Sequence, residues 1–295
     1  LAQYDWTGAG DGTSWSDPNN WRTDGQVAQS PPGAGDDVNF GIAGPIVIDA
    51  ERAEDVTVLS GLGVDAGSVT TSEYFYVDGG AVAISDGGRI TISNQSTATA
   101  YLTVTGSIDV KGSDSALDGS GSGGAVIGGG GSLTIEASAS ADFTTTDLTG
   151  SSLTIGEGDD ANALVLVEGA DSTLTASNVV VGSADEGGTA ALTIEAGASA
   201  DFTALSSAAA SLTIGAGAVA DDSVLVEGAG STLTATGVIV GDAGGSGSLT
   251  VEAGAAADFS NEDDAYPALV IGRQSGAGTV TVDGIGSTLT VTKSG

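Results

Sequence analysis

Carboxylates are the side chains that could do chemistry here in quantity. The chain of 295 residues holds 39 Asp and Glu against 6 Lys and Arg, and it has no His, Cys or Met. A metal site built without imidazole or thiolate has only oxygen ligands, which suit calcium rather than zinc or copper. Three acidic pairs recur at turn-like positions about one repeat apart: Asp159-Asp160, Asp221-Asp222 and Asp263-Asp264. They are the calcium candidates. The spacing of an EF-hand loop and the Gly-Gly-x-Gly-x-Asp nonapeptide of calcium β-rolls are both missing. The simpler reading is that these acids are solvated. Calcium bridging neighbouring molecules would still relieve the self-repulsion of a net charge of −33. No other cofactor is expected.

Catalysis finds little to work with. Lyase chemistry on a polysaccharide needs a basic residue to take a proton, and the bases Arg22, Arg52, Arg89, Lys111, Arg273 and Lys293 lie far apart. Glycoside hydrolysis needs two facing carboxylates, and so many acids allow many pairs. Yet Glu136, Glu195 and Glu252 repeat with the sequence, as residues of a solvated face do, whereas a unique site should break the repeat. The Gly runs at 121–131 and 244–247 lack the Lys and the helix signal of a phosphate-cradling loop. The chain reads as a non-enzyme, with no catalytic residue to name. Six scattered cations cannot form the basic cluster that nucleic acid or an anionic membrane requires. No apolar run approaches the ~18 residues of a membrane span.

The elements that hold these acids follow from an internal repeat. Leu133-Thr134-Ile135-Glu136 leads to Ala141-Asp142-Phe143, and the pattern returns at Leu192 to Phe202 and Leu249 to Phe259. Leu153-Thr154-Ile155-Gly156, Val167-Glu168-Gly169 and Val179-Val180-Val181-Gly182 return at the same offsets of 57 to 59 residues. Each unit contains about six short strand candidates separated by Gly, Ala, Asp and Ser turns. The expected fold is all-β, a single-stranded parallel β-helix. Dividing the unit by three gives coils of about 20 residues, hence ~10 coils and a rod ~50 Å long from residue 98 onward. Residues 51–97 read as degenerate early coils and 98–295 as the regular solenoid. Strands are expected near 56–59, 75–77, 81–84 and 90–92, with Tyr74, Phe75 and Tyr76 partly packed and partly on the surface.

Period-two alternation sets the faces. Leu192 and Ile194 point inward; Thr193 and Glu195 point outward. Phe143, Phe202 and Phe259 share one repeat position and read as core plugs. Val165-Leu166-Val167 aligns with Val224-Leu225-Val226 and with Val280-Thr281-Val282. A Thr at the middle place implies that this residue faces out. Leu166, Leu225, Val180 and Ile239 are therefore either covered by loops or form a lateral stripe for a partner.

Residues 1–50 differ in character and hold all three Trp. Trp6, Trp15, Trp21 and Phe40 read as a cap that plugs the open end of the first coil; a sugar-stacking platform is the alternative. The motifs run Asp5-Trp6-Thr7-Gly8, Asp11-Gly12-Thr13-Ser14-Trp15, Asn19-Asn20-Trp21, then Pro31-Pro32-Gly33-Ala34-Gly35-Asp36-Asp37-Val38. This order resembles the start of passenger-type β-helices in bacterial autotransporters and related surface proteins. The later repeats resemble passenger repeats more loosely. The resemblance implies a place outside the cell or on its outer surface, in a Gram-negative bacterium. It implies a rigid spacer or adhesin whose partner is a host or cell-surface glycan or protein. The alternative is a self-assembling fibre or biofilm-matrix subunit that binds other copies of itself, and a polysaccharide lyase or hydrolase is third. Leu1-Ala2-Gln3 reads as the residue of a processed leader. The family's C-terminal membrane barrel has no counterpart before Gly295, so the chain is expected either to be a released fragment or to have its last rung covered, as by a second copy stacked head to tail.

Overall fold

The computed structural model describes residues 2–41, 45–46, 51–93, 101–119, 124–145, 151–157, 162–182, 188–203, 210–217, 221–261 and 266–293. It is a parallel β-solenoid. Apart from one 3-10 turn, Pro18–Asn20, the regular elements are strands. A complete coil has three: Ser132–Glu136 on a first face, Ser140–Phe143 on a second and Leu153–Ile155 on a third. Each pairs in parallel register with its counterpart in the coils before and after. The first face alone stacks ten strands, from Pro45–Ile46 to Ala277–Val282. At about 4.8 Å per rung the stack is ~43 Å long.

The strand candidates and their inward and outward alternation match the structure, but the coil count does not. Val165 pairs with Leu192, and Leu192 with Val224. The steps are 27 and 32 residues, so a unit of 59 is two coils, not three. Coils near 20 residues occur only early, where Leu62 pairs with Val82. The regular region accordingly holds seven first-face rungs, Ser107–Lys111 through Ala277–Val282, rather than ten. The physical reason is that a triangular coil needs three strands and three corners, and the corners consume the extra residues. Between the second and third strands the link alternates in length. It is nine residues after Phe143, Phe202 and Phe259, and two after Ala176 and Ala235.

Two kinds of coil alternate because their cores differ in bulk. In one, the inward residues are Leu192, Ile194, Ala200, Phe202, Leu212 and Ile214; in the next they are Val224, Val226, Leu233, Ala235, Val238 and Val240. The inward columns thus alternate large with small along the axis, except on the first face where Val226, Val251 and Val282 follow one another. The second face does so twice, in opposite phase: Ala141, Leu174, Ala200, Leu233, Ala257 in one column and Phe143, Ala176, Phe202, Ala235, Phe259 beside it. The Phe rings recur every second coil, about 10 Å apart, with Ala176 and Ala235 between them and Val291 after Phe259. A ring too large for one rung spreads over the Ala of its neighbours, which gives dense packing without strain.

The corners are specified as closely as the core. Where the first face turns into the second, buried Ser172 and Ser231 alternate with buried Ala139, Ala198 and Ala255. Each Ser Oγ accepts a turn N–H from the coil before, Ser138 to Ser172 and Gly197 to Ser231, both at 3.0 Å. The half-buried turn amide is thereby satisfied.

At the N-terminus Gln3–Trp6 adds in parallel to Asp37–Phe40, and then Trp21–Thr23 and Gln26–Val27 follow antiparallel. This reversal ends the parallel stack on a two-residue edge strand, too short to template further pairing.

Candidate functional site

The aromatic cluster at the N-terminus is packed, not displayed. Trp6, Trp15, Trp21 and Phe40 are all buried, and Trp21 sits edge-on to Trp6 and Trp15 with both centroid distances at 4.9 Å. The Trp21 indole N–H donates to the Trp15 carbonyl at 2.7 Å. With no ring face open to solvent, the sugar-platform alternative fails. The motif residues around the rings serve the same packing. Buried Asn20 accepts from the Gly10 and Gly12 amides at 2.8 and 3.0 Å and donates to Asp11 at 2.7 Å. The amides of Thr13 and Ser14 bind the Asp11 carboxylate, and Asn19 binds that of Asp17. Those donors hold both acids below the usual carboxylate range, Ser14 chiefly for Asp11 and Asn19 for Asp17. Loop 7–20 is a closed hydrogen-bond network around the cap.

Of the calcium candidates, Asp159, Asp160, Asp263 and Asp264 lie outside the described residues. Asp221 and Asp222 belong to a strand, Asp221–Glu227, rather than a turn, so their side chains point to opposite faces. Asp221 is exposed and Asp222 is buried, and the pair cannot hold one ion. Among the described residues no group of three or more Asp or Glu is placed to ligate a metal. The repeated glutamates form an outward column, with Lys111, Glu136, Glu168, Glu195, Glu227 and Glu252 in register. Lys111 closes one end of it at 2.6 Å from Glu136.

Asp222 occupies an inward corner position that is Ala163 and Ala190 in earlier coils. One oxygen accepts the Ala190 N–H at 2.8 Å. The other is buried without a partner. Burial, with a smaller push from Asp221 and against the Ala190 hydrogen bond, raises its pKa to about 6. The folded chain therefore holds this proton more tightly than the unfolded chain, where an Asp titrates near 3.9. Its contribution to stability is greatest below pH ~4 and is lost as pH rises through ~6, by about 1–3 kcal/mol. Asp222→Asn keeps the acceptor and removes the charge. Its urea stability is expected to exceed the parent's at pH 8 by that amount, with the gap closing by pH 4. A gap that is the same at both pH values would refute the assignment.

Leu166, Leu225 and Val180 face outward and are half-buried, while Ile239 is nearly covered, with 6% exposed. Val180 and Ile239 belong to one continuous third-face column: Thr57, Tyr76, Thr103, Val126, Thr154, Val180, Thr213, Ile239 and Val270. Thr alternates with a larger apolar or aromatic side chain until Val270, where the sequence pattern calls for Thr.

That departure is one of several at the same place, and a cleft of about 520 Å³ opens there. Thr213, Ile239 and Val270 of that column line it together with Asn261, Tyr266, Pro267 and Arg273. In the preceding unit the positions of Tyr266, Pro267 and Arg273 read Ala209, Ala210 and Ala216. Tyr266 is 44% exposed, whereas the Trp and Phe rings are buried. Arg273 donates through Nε to Asp242 Oδ1 at 2.9 Å and through Nη2 to Oδ2. That pairing holds the Asp242 carboxyl below its usual range. The planar fork uses two of the five guanidinium N–H groups and leaves three for another acceptor. Reading only what repeats missed this cleft; the signal was the loss of the repeat at Tyr266-Pro267 and Arg273.

No family model matches this chain, and no curated protein does. Among solved structures, the crystal structure of a TibC-catalysed, hyper-glycosylated fragment of TibA aligns over 86% of this chain and 97% of that one. The identity is 16% and the TM-score 0.22, too loose a superposition to argue from. Among the described residues no helix is long and apolar enough to cross a membrane.

Proposed function

We propose that the chain is a non-catalytic rod on the outside of a bacterial cell, working by display as an adhesin or rigid spacer. The observation that carries this reading is the unbroken ten-rung parallel stack. Most rungs of the regular region are pinned by a large-small core, so the outward columns keep fixed positions along the axis. Such a scaffold turns sequence into stiff length and presents its faces at regular spacing. The acidic surface keeps copies apart and limits adventitious binding. The N-terminal motifs agree with this placement through their resemblance to autotransporter passengers.

The test has two parts. Negative-stain imaging, with and without millimolar calcium, is expected to show separate short rods. Latex beads coated with the chain are expected to adhere to glycan-bearing cells and bare beads are not. Filaments that lengthen with concentration would replace this reading by the fibre subunit, and beads that never adhere would leave only the spacer.

A further inference from the structure

We propose that the cleft between Tyr266 and Arg273 is a subsite for a neutral pyranose ring of a glycan chain. The inference rests on the adhesin reading and names what the rod holds. The cleft volume of about 520 Å³ falls in the range of ligand pockets, about 300–1,000 Å³. One wall is an exposed tyrosine ring beside Pro267, the kind of flat apolar surface onto which the C–H face of a pyranose stacks. Arg273, with three guanidinium N–H groups beyond those given to Asp242, and Thr213 also line the cleft. Sugar hydroxyls need donors and acceptors held in fixed directions, and the Asp242 fork fixes the guanidinium plane.

Charge selects the class of sugar. The Asp242 carboxylate neutralises Arg273, so the cleft has no net positive charge to offer a uronate or sialate. The surrounding chain carries −33 and repels one. A neutral saccharide meets neither obstacle. Four of the residues that line the cleft, Tyr266, Pro267, Val270 and Arg273, stand where the preceding unit has the smaller or more polar Ala209, Ala210, Thr213 and Ala216.

The experiment is titration calorimetry of the whole chain with neutral tetrasaccharides of glucose, galactose and mannose, and with a uronate tetrasaccharide. At least one neutral sugar is expected to bind and the uronate to bind more weakly. Tyr266→Ala is expected to lose at least roughly tenfold in affinity. Tyr266→Phe, which keeps the ring, should stay within about threefold, and Tyr76→Ala, distant on the same face, should match the parent. Equal thermal midpoints would show that all variants are folded. No binding of any neutral sugar, a preference for the uronate, or unchanged affinity in Tyr266→Ala would each overturn the proposal. Coated beads that adhere while calorimetry shows no sugar binding would sink the subsite and leave the adhesin reading standing. Sugar binding without bead adhesion would do the reverse.

Discussion

Replacing Phe202 with alanine is expected to lower the unfolding free energy by about 3–5 kcal/mol, the usual cost of a deleted core aromatic. The ring is fully buried, and what surrounds it is small: Ala176 and Ala235 in the adjoining coils and Ala200 in its own strand. None of these can swing in to fill the hole, so the loss should fall at the high end of the range. Phe143 and Phe259 are two coils away and cannot compensate. Phe202→Leu restores much of the volume and should recover more than half of the loss. Urea unfolding followed by circular dichroism measures both. A loss under about 1 kcal/mol for the alanine variant would mean that the large-small alternation is not what holds neighbouring coils together.

Gly215→Ala should be comparably damaging for a different reason. Gly215 turns the chain from the third face back to the first with φ at +73°, a conformation that costs an L-residue about 1–2 kcal/mol. A Cβ there would also lie 2.5 Å from the backbone carbonyl of Ser246 in the next coil. Backbone cannot rotate away as a side chain can, so the coils must separate locally, at a further cost of about 1–3 kcal/mol. The total expected is about 2–5 kcal/mol. Gly244 separates the two causes: its φ is +91°, but nothing lies within 4 Å of the added carbon. Gly244→Ala should cost about 1 kcal/mol. Equal losses at the two sites would show that crowding contributes nothing and that torsion alone decides.

Much of this architecture was written in the residue pattern. The strands near 81–84 and 90–92, the inward and outward sides of Leu192-Thr193-Ile194-Glu195 and the buried Phe positions follow from alternation alone, because one face of each strand is dry. The coil count did not follow, since the interval that repeats in sequence is not the interval that repeats in space. Leu192-Thr193-Ile194-Glu195 and Val224-Leu225-Val226-Glu227 look like different landmarks, yet they are the same place in successive coils. The glutamate that ends each was the clue: Glu136, Glu168, Glu195, Glu227 and Glu252 mark five successive coils. Asp222 was misplaced because a doublet of acids suggests a solvated turn. Only the register reveals that the second of them points into the stack. The cleft was hidden for a related reason. Tyr266 and Arg273 are seven residues apart along the chain, and the partner that orients Arg273, Asp242, comes from the preceding coil.

The pairing of bulky with slender coils also constrains how such a rod can evolve. If a single coil were inserted or deleted, Phe would land on Phe and Ala on Ala in the second-face column, leaving a clash on one side and a void on the other. Duplication or loss of two coils together restores every contact. Length is therefore quantised: related rods should differ in reach by whole steps of about 10 Å, two rungs at a time, and recombination between units of 57 to 59 residues is a change the packing tolerates.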